Sequence, residues 1–124
     1  MIGIDLKPKV PRTIKADLLK GIPFPDKSFD CVTAFELFEH IAPEKRDFLI
    51  EEIKRVCKHR VIVSVPDKND KRNFPHDKHP HSKHPDWLFD EKEVVELAKK
   101  FGDNYKLFLI ENPNYKGWGI IIGL

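Results

Sequence analysis

The 124 residues predict a single α/β domain spanning 1–124, a three-layer sandwich on a mostly parallel sheet that closes with an antiparallel C-terminal hairpin. Three observations carry this expectation. Short apolar runs rich in β-branched residues alternate with two stretches of helical periodicity. The first two runs each lead into a carboxylate, Asp5 and Asp17, and in open α/β sheets ligands meet the carboxyl ends of strands. The last two runs are separated only by Asn112 to Lys116, and a connection that short joins antiparallel neighbours.

Taken in order, Met1 to Leu6 reads as a short buried strand. Lys7 to Arg12 contains Pro8 and Pro11 and cannot be a helix. Thr13 to Ala16 reads as a second short strand ending at Asp17. Lys20 to Ser28, with Gly21, Pro23 and Pro25, is a loop. Phe29 to Phe35 is a third strand, apolar enough to be covered on both faces. Pro43 suits the first position of a helix, where its missing N–H costs nothing, and the helix is expected to reach about Lys58. Leu49, Ile50, Ile53, Val56 and Cys57 form its apolar face. Glu44 near its start and Lys54, Arg55 and Lys58 near its end suit the macrodipole.

Arg60 to Val65 is a β-branched strand, reached through Cys57-Lys58-His59-Arg60, a turn without glycine. Pro66 to Pro85 is polar and proline-containing, a long loop of the kind that is usually functional. Asp90 caps a second helix, with Glu93 as capping-box partner and Val94, Val95, Leu97, Ala98 and Phe101 on its apolar face. Gly102 ends that helix. Tyr105 to Glu111 and Trp118 to Leu124 are the closing strands. Phe24, Phe29, Phe35, Phe38 and Phe48 are expected in the core, as is Trp118, with Trp87 covering or packing on a pocket.

Composition narrows the class of protein. Hydrophobic residues make up 40% of the chain, as in ordinary globular domains. The net charge of +2 does not by itself argue for nucleic acid. No apolar run has the length to span a bilayer, and the N-terminus lacks the pattern of a secretory signal, so a cytoplasmic location without membrane contact is expected. Cys31 and Cys57 sit in apolar patterns and are expected to be reduced core residues. Charged residues reach 34% and glutamine is absent, a mix expected of a thermophilic source.

The succession Gly3-Ile4-Asp5-Leu6, Ala16-Asp17-Leu18 and Pro23-Phe24-Pro25-Asp26-Lys27-Ser28-Phe29-Asp30 resembles the middle of a class I S-adenosylmethionine (SAM)-dependent methyltransferase of the type 11 kind. The order of elements agrees from that family's second strand to its closing hairpin. The resemblance implies a Rossmann-like methyltransferase sandwich, N-terminally truncated, since the family's first strand and glycine-rich SAM loop would precede Met1. It implies SAM as cofactor, with Asp5 on the ribose hydroxyls, Asp17 and Leu18 on the adenine, and Phe35 and Glu36 completing the site. The implied reaction is methyl transfer to an unidentified acceptor, weak or partner-dependent without the glycine loop.

Glu36-Leu37-Phe38-Glu39-His40 resembles the ExxEH run of class I methyltransferases. In the small-RNA 2′-O-methyltransferases such a run joins a later histidine to bind a divalent metal. Carried over, the resemblance implies Glu36, Glu39 and His40 as ligands, joined by one of His76, His79, His81 or His84, of which His79 is the candidate taken. The bland reading is a solvent-facing acidic turn with His40 packed at a strand end. His76, His79, His81 and His84 belong to the polar loop, which reads as a solvated substrate loop or a metal site. Two other functions compete with catalysis: a non-catalytic methyltransferase-like binding module, and a metal- or RNA-binding protein built on the histidine loop. Without a central strand, either the strand at Met1 to Leu6 pairs directly with the strand at Phe29 to Phe35, or a second chain, as in a homodimer, covers the gap.

Overall fold

The structure, a computed structural model, describes residues 3–5, 13–70 and 87–124, with backbone only for residues 4–5 and 13–15. The histidine loop therefore lies outside the described residues. The first two strands, β1 (Gly3–Asp5) and β2 (Thr13–Lys15), form a small parallel sheet of their own. A four-stranded sheet is built from β3 (Phe29–Phe35), β4 (Cys57–Pro66), β5 (Tyr105–Asn112) and β6 (Tyr115–Gly123), in the spatial order β3-β4-β6-β5. β3 and β4 are parallel, whereas β6 runs antiparallel to both β4 and β5. The α/β, Rossmann-like class is as expected. The sheet is mixed rather than mostly parallel, because the hairpin folds back so that its second strand lies inside the sheet and adds two antiparallel ladders.

The helices are α1 (Pro43–Val56) and α2 (Glu91–Phe101). Pro43 opens α1 as expected, but the helix stops at Val56 and β4 begins at once. Cys57 already has extended backbone angles and donates its N–H to the Ile53 carbonyl. A helix that runs straight into a strand has no left-handed residue to accommodate, which is why this junction needs no glycine. Asp90 and Glu93 form the expected capping box at α2, the Glu93 N–H donating to Asp90 Oδ1 at 2.8 Å. The hairpin turn is tighter than expected. Pro113 and Asn114 alone separate the strands, and Asn112 Oδ1 accepts from the Asn114 N–H at 2.8 Å.

Leu49, Ile50, Ile53 and Val56 of α1 and Val94, Leu97, Ala98 and Phe101 of α2 share one core with Val61, Val63, Val65, Ile120 and Ile122 of the sheet. Both helices therefore cover the same face, and among the described residues two of the three expected layers are present. The opposite face is less covered, and this corrects several core expectations. Cys31 is exposed on that face and Phe35 is 60% exposed beside it. Phe48 is also exposed, while Phe38 is fully buried and Phe24 packs edge-on against Phe29. Trp118 is only partly buried against the core. Both cysteines are free, Cys57 buried as expected.

The direct pairing of the first strand with β3 does not occur. The two belong to separate sheets, and a cavity of about 390 Å³ lies along the edge of β3 that has no strand partner among the described residues, lined by Gly3, Leu18, Ile22, Leu37 and the α1 residues Leu49 and Ile53. Side chains from the turn after β2 and from α1 thus line the space that direct pairing would have closed.

Two arginines fasten the loops around this frame. Arg55 on α1 donates to the Phe24 and Ile22 carbonyls at 2.7 and 2.8 Å, and pairs with Glu52 and Asp26. It holds the proline-bracketed loop before β3. Arg46 is buried; its Nε lies 3.2 Å from the Phe38 carbonyl and 3.1 Å from that of Ile41, its Nη2 donates to the Trp87 carbonyl at 2.7 Å, and its guanidinium stacks on Phe89 at 4.5 Å. It ties the turn after β3 to the entry of α2. Arg46→Ala removes these bonds and leaves buried carbonyls without a donor, so a destabilisation of about 3 kcal/mol is expected in urea unfolding. The exposed pair between Lys100 and Asp47 is expected to contribute under about 1 kcal/mol in the same assay.

Candidate functional site

The described polar groups that stand out gather where β3 and β4 end. Glu36 follows β3 directly and has a left-handed backbone, φ 52°, unusual for a residue other than glycine. Its N–H donates to the Ser64 carbonyl at 2.9 Å, which holds the chain in this turn against the end of β4. Phe38–His40 then form one 3-10 turn, with Phe38 and Glu39 buried. Non-glycine residues in this conformation persist where the surroundings over-determine them, and such positions concentrate at functional sites.

Tyr115, the first residue of β6, reaches this turn across the end of β4 and donates its phenol to Glu36 Oε1. The ring crosses Gly117, where any Cβ would collide with it, and Phe108 likewise lies over Gly119. Glycine at both positions is thus required by close approach. Sequence reasoning passed over Tyr115. The signal was present, since glycines alternating along an otherwise β-branched strand mark positions that neighbouring rings overlie.

Glu39 is fully buried, and neither carboxyl oxygen has a hydrogen-bond donor; Glu36 Oε2 is in the same position. Burial, and after it the bond shared with the Glu36 carboxyl, push the Glu39 pKa up to about 9. Glu39 therefore holds its proton near neutral pH. Burial and the Glu36 bond also raise Tyr115 above its ordinary value of 10.0, so it stays a donor. The expected solvent-facing acidic turn is therefore a buried one, while the His40 side chain stays 46% exposed. His40 Nε2 lies 3.9 Å from Glu39 Oε2, too far for a hydrogen bond. Among the described residues no group of three or more histidine, cysteine or carboxylate side chains is arranged to hold a metal, and His79 lies outside them.

The remaining expected site residues surround the cavity. Asp5 closes β1 beside Lys15 of β2, its side chain lying outside the description. Asp17 caps the 3-10 turn Leu18–Lys20, its Oδ1 accepting from the Leu19 N–H at 3.0 Å. Leu18 and Phe35 both line the cavity. The structure thus brings Leu18 and Phe35 to one space with Asp17 adjoining, and places Glu36 and Glu39 in a neighbouring cluster.

The Glu39 environment generates a pH dependence. An acid whose folded pKa lies above its unfolded value holds an extra proton in the native state between the two. Stability is then lost as pH rises from about 4.5 to about 9. Relative to Glu39→Gln, which cannot ionise, the wild type is expected to lose a few kcal/mol across that window. Urea unfolding at both ends of the range checks this; equal pH profiles for the two proteins would refute it.

Comparison with known proteins follows the same geometry. Solved structures of similar shape include a SAM-dependent methyltransferase from Archaeoglobus fulgidus (TM-score 0.73, 16% identity, covering 99% of this chain and 75% of that one). A SAM-dependent methyltransferase from Aquifex aeolicus gives TM-score 0.59 at 24% identity, over 91% of this chain and 55% of that one. A protein described as a type 11 methyltransferase, from Sulfolobus solfataricus, gives 0.61 at 22%, over 95% and 66%. At these identities the likeness is one of fold, and this chain spans between 55% and 75% of these three. No curated protein matches. The family model described as "Methyltransferase domain" matches residues 3–65, from the first strand through β3 and α1 to the buried half of β4, and the chain belongs to that family.

Proposed function

We propose that this chain carries the nucleoside-binding part of a SAM-dependent methyltransferase. The observation that supports it best is the cavity between β1 and β3, bordered by the cap that Asp17 forms and lined by Leu18. An adenine ring needs an apolar slot and one or two directional partners at its edge. Leu18 offers the apolar contact, and Asp17 Oδ1 is engaged by its own cap while Oδ2 has no donor among the described residues. A carboxylate oxygen in that state can accept from an exocyclic amine. Asp5, at the carboxyl end of β1, is in the position from which a carboxylate accepts from vicinal hydroxyls.

SAM, when bound, supplies an electrophilic methyl group, and its transfer depends mainly on alignment of the acceptor. Phe35 borders the cavity at the carboxyl end of β3, and the Glu36–Tyr115 pair adjoins it. These groups would border the methionine side, Glu36 held rigid by Ser64 and Tyr115.

Residues 1–124 contain no glycine-rich turn to cradle the methionine carboxylate and amine. S-adenosylhomocysteine is therefore expected to bind with a Kd on the order of 100 μM or weaker, several charge-assisted hydrogen bonds short of a tight site. Calorimetry on the wild type, Asp5→Ala and Leu18→Ala is the test. Asp5→Ala is expected to abolish the signal and Leu18→Ala to weaken it about tenfold. Sub-micromolar binding, or binding indifferent to Asp5→Ala, would overturn the assignment.

A further inference from the structure

Arg46 is a buried cation whose charge its surroundings do not answer. It is 8% exposed. Nε and Nη2 are spent on backbone carbonyls, and the guanidinium plane lies on Phe89. Among the described residues no carboxylate forms an ion pair with it, and Nη1 has no acceptor. The acids near enough to act on it are Glu93, Glu39 and Glu44. Each is otherwise disposed. Glu93 is engaged by the capping box and by Lys68 at 3.5 Å. Glu39 holds its proton near neutral pH, and Glu44 is exposed. Buried arginines are ordinarily paired, so this one has a charge and a donor left to give.

Arg46 lines a cavity of about 210 Å³ between α1 and α2, which shares no lining residue with the cavity along β3. Pro43, Ile50, Phe89 and Leu97 supply its apolar walls. Pro43 is also the first residue of α1, and Ala42 before it offers no capping side chain. The positive end of that helix therefore adds to Arg46 on the same side. Two further charges line the α2 side, Lys100 and Glu96. Lys100 is answered by Asp47 at 2.6 Å. Glu96 is exposed and forms no ion pair among the described residues.

The cavity thus carries one unanswered charge of each sign, the cation on α1 and the anion on α2. A ligand that satisfies both has a carboxylate for Arg46, an ammonium for Glu96 and an apolar body for the walls. A simple anion would meet Glu96 and Glu93 without compensation, and a doubly charged phosphate would be disfavoured most. The volume lies below the roughly 300 Å³ at which sites for drug-sized ligands begin, which suits a small metabolite.

We propose that this cavity binds a free α-amino acid with an apolar side chain, its carboxylate accepting from Arg46 Nη1 and its ammonium directed to Glu96. The site is independent of the cofactor assignment.

An NMR titration of the isotope-labelled chain with L-leucine near neutral pH is the test. Saturable amide shifts are expected at Arg46, Ile50, Glu96 and Leu97, with a Kd on the order of 1 mM. Leucine amide, which lacks the carboxylate, is expected to bind at least about tenfold more weakly. N-acetylleucine, which lacks the ammonium, is expected to bind about threefold more weakly, as befits an exposed ion pair. Glu96→Gln, an exposed substitution, is expected to erase the difference between leucine and N-acetylleucine. Arg46→Lys, which keeps the charge and loses the fork, is expected to weaken leucine about tenfold. Circular dichroism verifies that each variant folds, and the ligand series with Glu96→Gln decides the matter if Arg46→Lys does not. Absence of saturable shifts at about 20 mM leucine overturns the proposal. So does leucine amide binding as tightly as leucine, or a preference for leucine over N-acetylleucine that survives Glu96→Gln.

Discussion

Strand β4 is the element on which the rest of the structure depends. It is the only described strand with a parallel neighbour on one side and an antiparallel neighbour on the other. Val61, Val63 and Val65 alternate along it, each fully buried against the helix layer, and α1 runs into it without a linker. Each Val side chain buried contributes roughly 1.5–3 kcal/mol, and the same strand satisfies its backbone on both edges. The other strands of the four-stranded sheet and the helices on it take their positions from this strand. β3 is held by its register, β6 by the opposite edge, and α2 by packing on β6.

The acidic turn is a consequence of that register. Phe35 lies opposite Ser64, so the first residue beyond β3 meets the Ser64 carbonyl, and its left-handed backbone turns the chain toward Phe38 and the core. The turn draws Glu39 inward with Phe38. A carboxyl taken from water without donors is costly when charged, so it keeps its proton beside Glu36. Arg46 lies close enough to be felt by Glu39, yet its directed bonds go to backbone carbonyls. The pair therefore remains a polar cluster at the carboxyl ends of the strands, braced by Tyr115. Such strand ends are where open α/β sheets act on ligands.

Much of this fold could be read from local chemistry, and what could not was set by non-local contact. The bounds of β3, the start of α1 at Pro43 and the Asp90–Glu93 box each follow from a few adjacent residues, and the structure repeats them. The proline-bracketed loop was recognisable as a loop, but not the Arg55 bonds that fix it, since those partners lie some thirty residues apart. Glu39 looked like a solvated acid because its neighbours Glu36 and His40 are polar. Its burial depends on Phe38 meeting Phe101, a contact invisible to a local pattern. Cys31 and Phe35 were expected in the core because β3 is apolar on both sides. That pattern reports what the strand is suited to, while their exposure reports what covers it. Of the candidate site, Leu18 and Phe35 were named from the run of residues alone and line the cavity, whereas the Tyr115 brace came only with the fold.

The same reasoning explains why the cavity and the less covered face belong to one problem. Both are bounded by β3, which among the described residues has one edge without a strand partner, one face packed by helices and one face less covered. Local stability follows the number of buried apolar contacts, so β3 is the strand of this sheet that a ligand can stabilise most. Anything that binds the native form alone stabilises it by mass action. A molecule seated in the cavity would therefore order the strand whose carboxyl end leads into the Glu36 turn, so the cavity and the buried acidic cluster share one support.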